Sequence, residues 1–335
     1  MSFHFFLKRE IDNQATDIKS IARSNKVSAQ KLRRIYKEKL SEFEPYLKIH
    51  SENFQKESFV FPENIGENMA IDETGLFGGK LYRILYNKDK KGKKGSLAAI
   101  IKGTKAEKVS EAIRAETPIT TLMNIKEITL DLSNSMDWIT RDIAPNARKT
   151  YDRFHVEKLL TDALQQVRIR YRWEAIDREN KLRKDSNVNR IPRYSNGDSE
   201  KQLLARSRYL LYKKQIDWNK QQRERARILF EEFPLLKKAY FYYMEFKKTY
   251  KMNLLTAEHY LNQWVKRVKH CGIETMMIAA RTIERNLCGI LNYLANRATN
   301  ASIENFNRKL KSLLERVRGV SDKNMFFFRL IKIYA

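Results

Sequence analysis

Three acidic residues that lie far apart in the chain suggest a specific chemistry when they are considered together. They are Asp72, Asp131 and Glu304. Asp72 follows the apolar run Met69–Ile71, and Asp131 follows the alternating segment Ile125–Leu130. Cleavage of a phosphodiester is fast when cations neutralise charge on the attacking and leaving oxygens, and a pair of cations needs several carboxylates around one point. The three acids therefore form a candidate site for two divalent metal ions.

Each acid needs a rigid support if it is to hold a metal ion. Asp72 is expected to close the first strand of a sheet, and Asp131 to close the strand after the first helix of that sheet. Glu304 is expected near the start of the last helix, packed across the sheet. Each acid also has an ordinary explanation: Asp72 as a turn residue, Asp131 as a helix N-cap, and Glu304 as a solvated helix residue. Only their combination points to chemistry.

Residues 68–156 have the pattern of a mixed sheet. Strands are predicted at Met69–Asp72, Leu81–Tyr86, Leu97–Ile101, Ile125–Leu130 and Arg148–Tyr151, with a Gly78-Gly79 turn and helices at Ala106–Ala115 and Ser135–Ile143. Three hairpin-connected strands followed by helix, strand, helix and strand is the order of a ribonuclease-H-like α/β core. Ile71 and Ile128 should be buried, whereas Asp72 and Asp131 should open to a cleft.

The segments before the sheet are expected to be helical and then irregular. Within residues 1–48, Thr16 can cap a short helix, and Ser28 can cap a second, basic helix through about Leu40 that carries Lys31, Arg33 and Arg34. This pattern fits a small DNA-binding helix-turn-helix. It fits equally a basic helical hairpin packed on the rest of the protein. Residues 49–67 are interpreted as a linker.

Residues 157–295 are predicted to form a large all-α insertion, and residues 296–335 the last part of the core. Helical patterns run through Leu159–Glu179, Gln202–Phe230, Leu235–Tyr250, Ala257–Val268 and Ile273–Leu294. Basic and aromatic residues are interleaved at Arg168, Arg170, Tyr171, Arg172 and Trp173. Such side chains can stack on a flipped or single-stranded nucleobase. The aromatic stripe of Tyr240, Tyr243, Phe246 and Tyr250 is interpreted as core.

The charge of the chain points to a polyanionic partner. Its 335 residues include 66 Lys and Arg against 40 Asp and Glu, a formal net charge of +26, which favours nucleic acid; a merely basic, ribosome-like protein is the alternative. With 42% hydrophobic and 32% charged residues and only short apolar runs, the chain is expected to be neither disordered nor membrane-spanning. No secretory pattern opens it, so a cytoplasmic protein is expected. Cys271 and Cys288, the only cysteines, do not suggest a disulfide framework or a zinc site.

Four stretches resemble the ISL-three family of bacterial insertion-sequence transposases, within the DDE superfamily. They are Ile71-Asp72-Glu73-Thr74; Leu130-Asp131-Leu132-Ser133; Ala144-Pro145-Asn146-Ala147 with Asp152-Arg153-Phe154-His155-Val156; and Arg297 to Lys311, followed by Arg316-Val317-Arg318-Gly319. The resemblance covers about residues 65 to 333. The Asp-x-Phe-His and Thr-Asn-x-x-x-Glu-x-x-Asn-x-x-x-Lys strings are specific in combination.

This resemblance implies a ribonuclease-H-like catalytic domain in which Asp72, Asp131 and Glu304 bind divalent metal, normally Mg²⁺ or Mn²⁺ and two ions. It also implies hydrolysis and strand transfer at the terminal inverted repeats of a transposon, on double-stranded DNA, in the bacterial cytoplasm and at the nucleoid when bound. A homodimer is expected because two ends must be brought together. Asp152 competes for the place of Asp131, and His155 is either a residue near the site or a structural histidine.

The basic residues expected to contact DNA phosphate lie in two segments besides the basic N-terminal helix. One is the loop with Lys90, Lys91, Lys93 and Lys94, and the other is the segment with Arg308, Lys309, Lys311, Arg316 and Arg318. Family members usually carry a longer N-terminal region with a cysteine-rich zinc-binding segment, which residues 1–67 do not match. A short variant, the downstream part of a split gene or a truncated element would each account for this.

Two other functions fit the same residues. One is a catalytically inactive or truncated transposase-derived protein that binds DNA without cutting it. The other is a ribonuclease-H-like, structure-selective nuclease, which hydrolyses DNA without joining a 3′ end to a target. Metal-dependent cleavage separates the first from a transposase, and strand transfer separates the second.

Overall fold

A computed structural model describes residues 3–13, 18–184, 191–296, 300–317 and 323–335. Contacts within the chain divide it into two compact units. The split unit comprises Met1–Asp152 together with Ala298–Ala335, and the helical unit comprises Arg153–Arg297. Among the described residues, none of the helices combines the length and the apolar character needed to cross a bilayer.

A six-stranded mixed sheet organises the split unit. Its strands are β1 (Ser58–Val60), β2 (Asn68–Leu76), β3 (Lys80–Asn87), β4 (Leu97–Lys102), β5 (Glu127–Leu130) and β6 (Arg148–Tyr151), in the order β1-β4-β3-β2-β5-β6. β1, β2, β3 and β4 pair antiparallel, whereas β5 pairs parallel with both β2 and β6. The prediction of a mixed sheet with an antiparallel and a parallel half is confirmed.

The central strand is longer than its apolar run suggests. Ile71 in β2 and Ile128 in β5 are fully buried, as predicted. However, β2 continues beyond Asp72 because its antiparallel ladder with β3 extends to the pair Leu76–Lys80, next to the turn with Gly78 and Gly79 at positive φ. The expectation that Asp72 closes the strand is therefore wrong: the residue lies inside β2. Only the parallel pairing with β5 stops before Asp72, at the pair Ile71–Leu130.

Residues 49–67, expected to be a linker, belong to the folded split unit. They include helix α5 (Ser51–Lys56) and strand β1, whose register pairs Phe59 with Ile100 of β4. Phe59 is buried and packs against Phe54 and Phe327 at ring-centroid distances of 5.0 and 5.2 Å. A three-residue strand with one inward side chain is too short to produce a recognisable alternation, which explains why the prediction was wrong here.

The N-terminal helices pack into the same core as the sheet. They are α1 (Phe3–Asn13), α2 (Ile18–Ser24), α3 (Ala29–Ile35), which continues as a π-helical turn through Leu40, and α4 (Phe43–Ile49). Ser28 caps α3 as predicted, accepting a hydrogen bond from the backbone N–H of Lys31 at 3.4 Å; Thr16 lies outside the described residues. Leu7, Ile11 and Phe43 are buried in the core cluster, and the Phe43 ring meets Phe328 at 5.4 Å. This packing favours the helical-hairpin alternative for these residues.

Helices cover the sheet and complete the split unit. They are α6 (Ala106–Glu116), α7 (Ile119–Met123), α8 (Asn134–Ile143), α16 (Ala301–Val317) and α17 (Lys323–Tyr334). Glu304 lies in α16, which is not the last helix as expected, because the apolar run Phe326–Phe328 extends into a further buried helix, α17. Ile303, Phe306, Leu310 and Leu313 form the buried face of α16.

The helical unit contains only helices and loops within its described residues. It consists of α9 (Arg153–Lys184), α10 (Glu200–Arg206), α11 (Lys220–Glu232), α12 (Pro234–Lys248), α13 (Leu254–Val268), α14 (Glu274–Arg285) and α15 (Leu287–Asn296). Two expected long helices are each divided, the first by 3₁₀ turns at 210–212 and 215–217 and the second at Asn286. The stripe of Tyr240, Tyr243, Phe246 and Tyr250 is buried, as predicted.

Candidate active site

Two of the predicted acids occupy neighbouring positions at the place where the parallel pairing of β2 with β5 ends. Ile71 of β2 pairs with Leu130 of β5, so Asp72 and Asp131 are the next residues on two adjacent strands. Adjacent strands lie about 4.8 Å apart. Asp72 is 9% exposed and Asp131 is half-buried. Asp131 is thus open to solvent as predicted, while Asp72 is more enclosed than expected.

A third carboxylate, Asp152, stands at the equivalent position after β6. Tyr151 pairs with Leu130, and the backbone N–H of Asp152 donates to the Leu130 carbonyl at 2.9 Å. Asp152 is buried at 4% exposure. Parallel pairing therefore places Asp72, Asp131 and Asp152 in one row, each directly after the last parallel-paired residue of its strand.

Two asparagines of the α16 segment bind this row of aspartates. The Asn307 side-chain amide donates to Asp72 Oδ2 at 2.6 Å. The Asn300 side-chain amide donates to Asp131 Oδ1 at 2.8 Å, and the Asn300 backbone N–H donates to Asp152 Oδ1 at 3.2 Å. The sequence interpretation included both asparagines in a motif but assigned them no role. Their available signal was the spacing, four residues before and three residues after Glu304.

Both asparagines are buried, Asn300 at 1% and Asn307 at 7% exposure. The Oδ1 atom of each has no hydrogen-bond partner among the described residues. A buried acceptor that lacks a donor costs about 1–3 kcal/mol. Amide and carboxylate oxygens are also hard ligands of the kind that Mg²⁺ prefers. The donor atoms gathered in this row therefore fit a divalent cation by their chemistry.

Glu304 lies on the same side of α16 as the two asparagines. Residues at positions i, i+4 and i+7 share a helix face, and these are Asn300, Glu304 and Asn307. Glu304 itself is exposed, and its backbone N–H donates to the Asn300 carbonyl at 2.9 Å. In the part of the chain that the structure describes, however, no three Asp, Glu, His or Cys side chains are close enough together to hold a metal ion. The structure thus aligns Asp72 with Asp131 but does not bring Glu304 into a metal cluster with them.

A buried cation, Arg83 of β3, lies near the aspartates. It is 3% exposed, its Nη2 atom donates to Ser135 Oγ at 3.3 Å, and the same atom is 3.4 Å from Glu73 Oε2. Burial lowers the pKa of Arg83, while the charges of Glu73, Asp72 and Asp131 act in the opposite sense. Arg83 pairs across the strands with Glu73, so it lies on the face of the sheet opposite Asp72. Sequence reasoning missed it, although an arginine inside the apolar run of β3 was a visible signal.

The basic residues predicted to bind DNA differ in their exposure and in their contacts within the chain. Lys90, Lys91, Lys93 and Lys94 are exposed between β3 and β4. Lys309 donates to the Gly92 carbonyl of that same loop at 3.2 Å, which joins α16 to the loop. Arg308, Lys311, Lys31 and Arg34 are exposed and Arg33 is half-buried, whereas Arg318 and the Arg316 side chain lie outside the described residues.

Two candidates of the helical unit have different outcomes. Arg168 is buried, and its guanidinium donates to Gln165 Oε1 at 2.6 Å and to the Leu204 carbonyl at 2.9 Å, so the expectation that it stacks on a base is wrong. Trp173 is 61% exposed. His155 is half-buried in the first turn of α9, 5.4 Å from the Phe154 ring, and its role near the site stays a prediction.

Comparison with known proteins adds one finding. The model of a family described as transposase, the ISL-three group of DDE transposases, matches residues 69–330, which is more than half of the chain. No curated protein and no solved structure matches.

Proposed function

Because the chain belongs to the ISL-three family of DDE transposases, we propose that it cuts and joins DNA at transposon ends with Asp72, Asp131 and Glu304 as its metal ligands. The observation that carries this proposal is the row of aspartates held by Asn300 and Asn307 on both sides of Glu304. A ribonuclease-H-like core is supported by the order β4-β3-β2-β5-β6, antiparallel in its first half and parallel in its second.

The proposed reaction has two steps. Water first adds to phosphorus as the P–O3′ bond at the element end breaks and a 3′-hydroxyl leaves. That hydroxyl then replaces the 3′ oxygen of a target phosphodiester. Two Mg²⁺ or Mn²⁺ ions, when bound, neutralise the charge on the entering and leaving oxygens. Asp72 and Asp131 would hold the ions from the sheet, and Glu304 would close the site from α16. Two chains would bring two ends together.

Asp131 is the preferred second acid, and Asp152 is proposed to have a positioning role. Asp152 is nearly inaccessible, and it accepts the backbone N–H of Asn300 immediately before α16. An acceptor at that place stabilises the start of a helix and fixes where it begins. Asp131 is half-buried and therefore accessible to an ion.

The direct test is Asp72→Asn, which removes a metal ligand and keeps the size of the side chain. We expect the variant to bind DNA like the wild type but to lose Mn²⁺-dependent nicking and joining of a plasmid that carries the DNA flanking its gene. Asp162→Asn, at an exposed acid of α9 paired with Lys158, is the matched control and should keep both activities. Retained cleavage by Asp72→Asn would remove this residue from the site.

The same assay separates the other functions. Wild-type protein that binds DNA but never cuts it would indicate a transposase-derived binding protein. Cutting without transfer of a 3′ end to target DNA would indicate a structure-selective nuclease.

A further inference from the structure

A cavity of about 360 Å³ opens in the helical unit, between the segment 214–215 and the last turns of α12. This volume lies within the range of about 300–1,000 Å³ that is usual for small-molecule sites. Its rim carries Lys214, Lys247, Lys248 and Lys251, and its apolar part is formed by Tyr240, Phe241 and Met244. None of these residues belongs to the candidate active site.

The rim is a concentration of positive charge that carboxylates neutralise only at Lys247, among the described residues. Lys214, Lys248 and Lys251 are exposed and have no ion pair within the described ranges of the chain. Lys247 has a long ion pair, with its Nζ atom 4.0 Å from Glu157 Oε2. Glu245, the one acid lining the cavity, is bound by Arg267 at 3.1 Å. An anionic ligand would therefore meet several cations and little repulsion.

The floor is aromatic. Tyr240 is fully buried, and its hydroxyl donates to the Lys213 carbonyl at 2.9 Å. Phe230 and Trp218 support it at centroid distances of 5.2 and 5.6 Å. Phe241 is 40% exposed beside it, 5.6 Å from the Tyr240 ring. The cavity thus offers one accessible ring on a rigid aromatic base, together with flexible cations at its edge.

We propose that this cavity binds one unpaired base of a DNA strand, with Phe241 stacking on the base and Lys214, Lys248 and Lys251 contacting the flanking phosphates. Base–aromatic stacking beside a basic rim is the usual way in which proteins hold single-stranded nucleic acid. The choice of DNA among polyanions rests on the membership in a transposase family. The cavity requires no metal ion, so its test is independent of the acids.

The test uses the full chain in EDTA and a 12-nucleotide DNA strand with one central 2-aminopurine. Binding is measured by anisotropy over a range of salt concentrations, and stacking by quenching of the 2-aminopurine emission. We expect quenching with the wild type. Phe241→Ala should lower affinity by about 5- to 150-fold, as for the loss of one stacked base, and abolish the quenching. Phe241→Tyr keeps a ring and should retain both.

The lysines are tested through the salt dependence. The double substitution Lys248→Gln with Lys251→Gln should reduce the slope of log affinity against log salt by about 1.4, that is about 0.7 for each phosphate contact on a single strand. Lys220→Gln with Lys237→Gln, two exposed lysines of the same unit that do not line the cavity, is the control. An equal fall in the control pair, or emission that the wild type does not quench, would overturn the proposal.

Two further arms identify the ligand. A DNA strand with an abasic position in place of the 2-aminopurine should bind the wild-type protein as weakly as the 2-aminopurine strand binds the Phe241→Ala variant. RNA bound more tightly than DNA, with the same dependence on Phe241, would contradict the assignment to DNA. If the wild-type protein bound and quenched the 2-aminopurine strand but did not cleave DNA with Mn²⁺, the result would count against the proposed metal site alone.

Discussion

Asn307→Ala is the change that most directly tests how α16 is held against the sheet. It removes the amide that donates to Asp72 Oδ2 at 2.6 Å, in a place where Asn307 is 7% and Asp72 is 9% exposed. A hydrogen bond to a charged group contributes about 1.5–3 kcal/mol. The carboxylate keeps the backbone N–H of Glu73 as a donor to Oδ1 at 2.7 Å, so we expect a loss near the lower end of that range.

The expected loss can be measured as a melting temperature. For a domain of about 150–250 residues, 1 kcal/mol shifts the midpoint by about 2–4 °C, so Asn307→Ala should lower the midpoint of the split unit by about 3–8 °C in EDTA. Asn305→Ala, at an exposed asparagine two positions away on the same helix, is the control and should change it little. Calorimetry with and without Mn²⁺ gives both values.

Asn307→Asp gives the sharper test because its effect on stability depends on whether Mn²⁺ is present. A second carboxylate against Asp72 repels it when no cation is present, so the variant should melt below Asn307→Ala in EDTA. Mn²⁺ that binds the folded state stabilises it by an amount that grows with the logarithm of its affinity, so the added ligand should make the stabilisation by Mn²⁺ larger than in the wild type. Equal melting of Asn307→Ala, Asn305→Ala and wild type, with no difference in response to Mn²⁺, would refute the view that Asn307 positions Asp72.

Two more predictions concern acids in different surroundings. Glu304→Gln should abolish Mn²⁺-dependent cleavage and leave the melting temperature in EDTA within about 1 °C, because the side chain is exposed; a variant that still cuts would exclude Glu304 from the site. Burial would raise the pKa of Glu57, but hydrogen bonds from Lys102, Lys323 and Tyr82 lower the pKa to about 2. Stability from Glu57 should therefore be complete above about pH 4.5 and fall as the pH drops towards 2, so Glu57→Gln should flatten the acid-unfolding curve in that window, whereas an unchanged curve would contradict the stated interactions.

Several elements of the split unit could be predicted from sequence because their signals are local. β6 has the predicted bounds, and β4, α6 and α8 differ from prediction by one residue at an end. Strand β1 and helix α17 depend on the rest of the fold: β1 is defined by pairing with β4, and the apolar run of α17 is buried under the N-terminal helices. Such tertiary packing overrides what a local window contains.

The site was predictable only in part for a related reason. Acids at the ends of apolar runs are visible in a sequence, whereas their partners lie 169 positions away for Asp131 and Asn300 and 235 positions away for Asp72 and Asn307. Asn300 and Asn307 look like ordinary helix-end and helix-surface residues until α16 is placed on the sheet. Arg83 was visible as an arginine inside an apolar run, but its burial could not be predicted, since an arginine in a strand normally faces solvent.

The two asparagines explain how Glu304 can be exposed and still serve as a ligand in the proposed site. Asn300 and Asn307 are separated by seven residues, about 10 Å of helix, and are tied to Asp131 and Asp72 respectively. The backbone at Glu304 is thereby fixed between two tethered points, so only its side-chain torsions remain to be ordered. That ordering costs about 2 kcal/mol or less for a glutamate. Cations that bind Asp72 and Asp131 can supply this amount, because carboxylates that repel one another become attracted to the same ions. In the proposed site the protein would therefore set the position of the helix in advance, and bound metal ions would complete the triad.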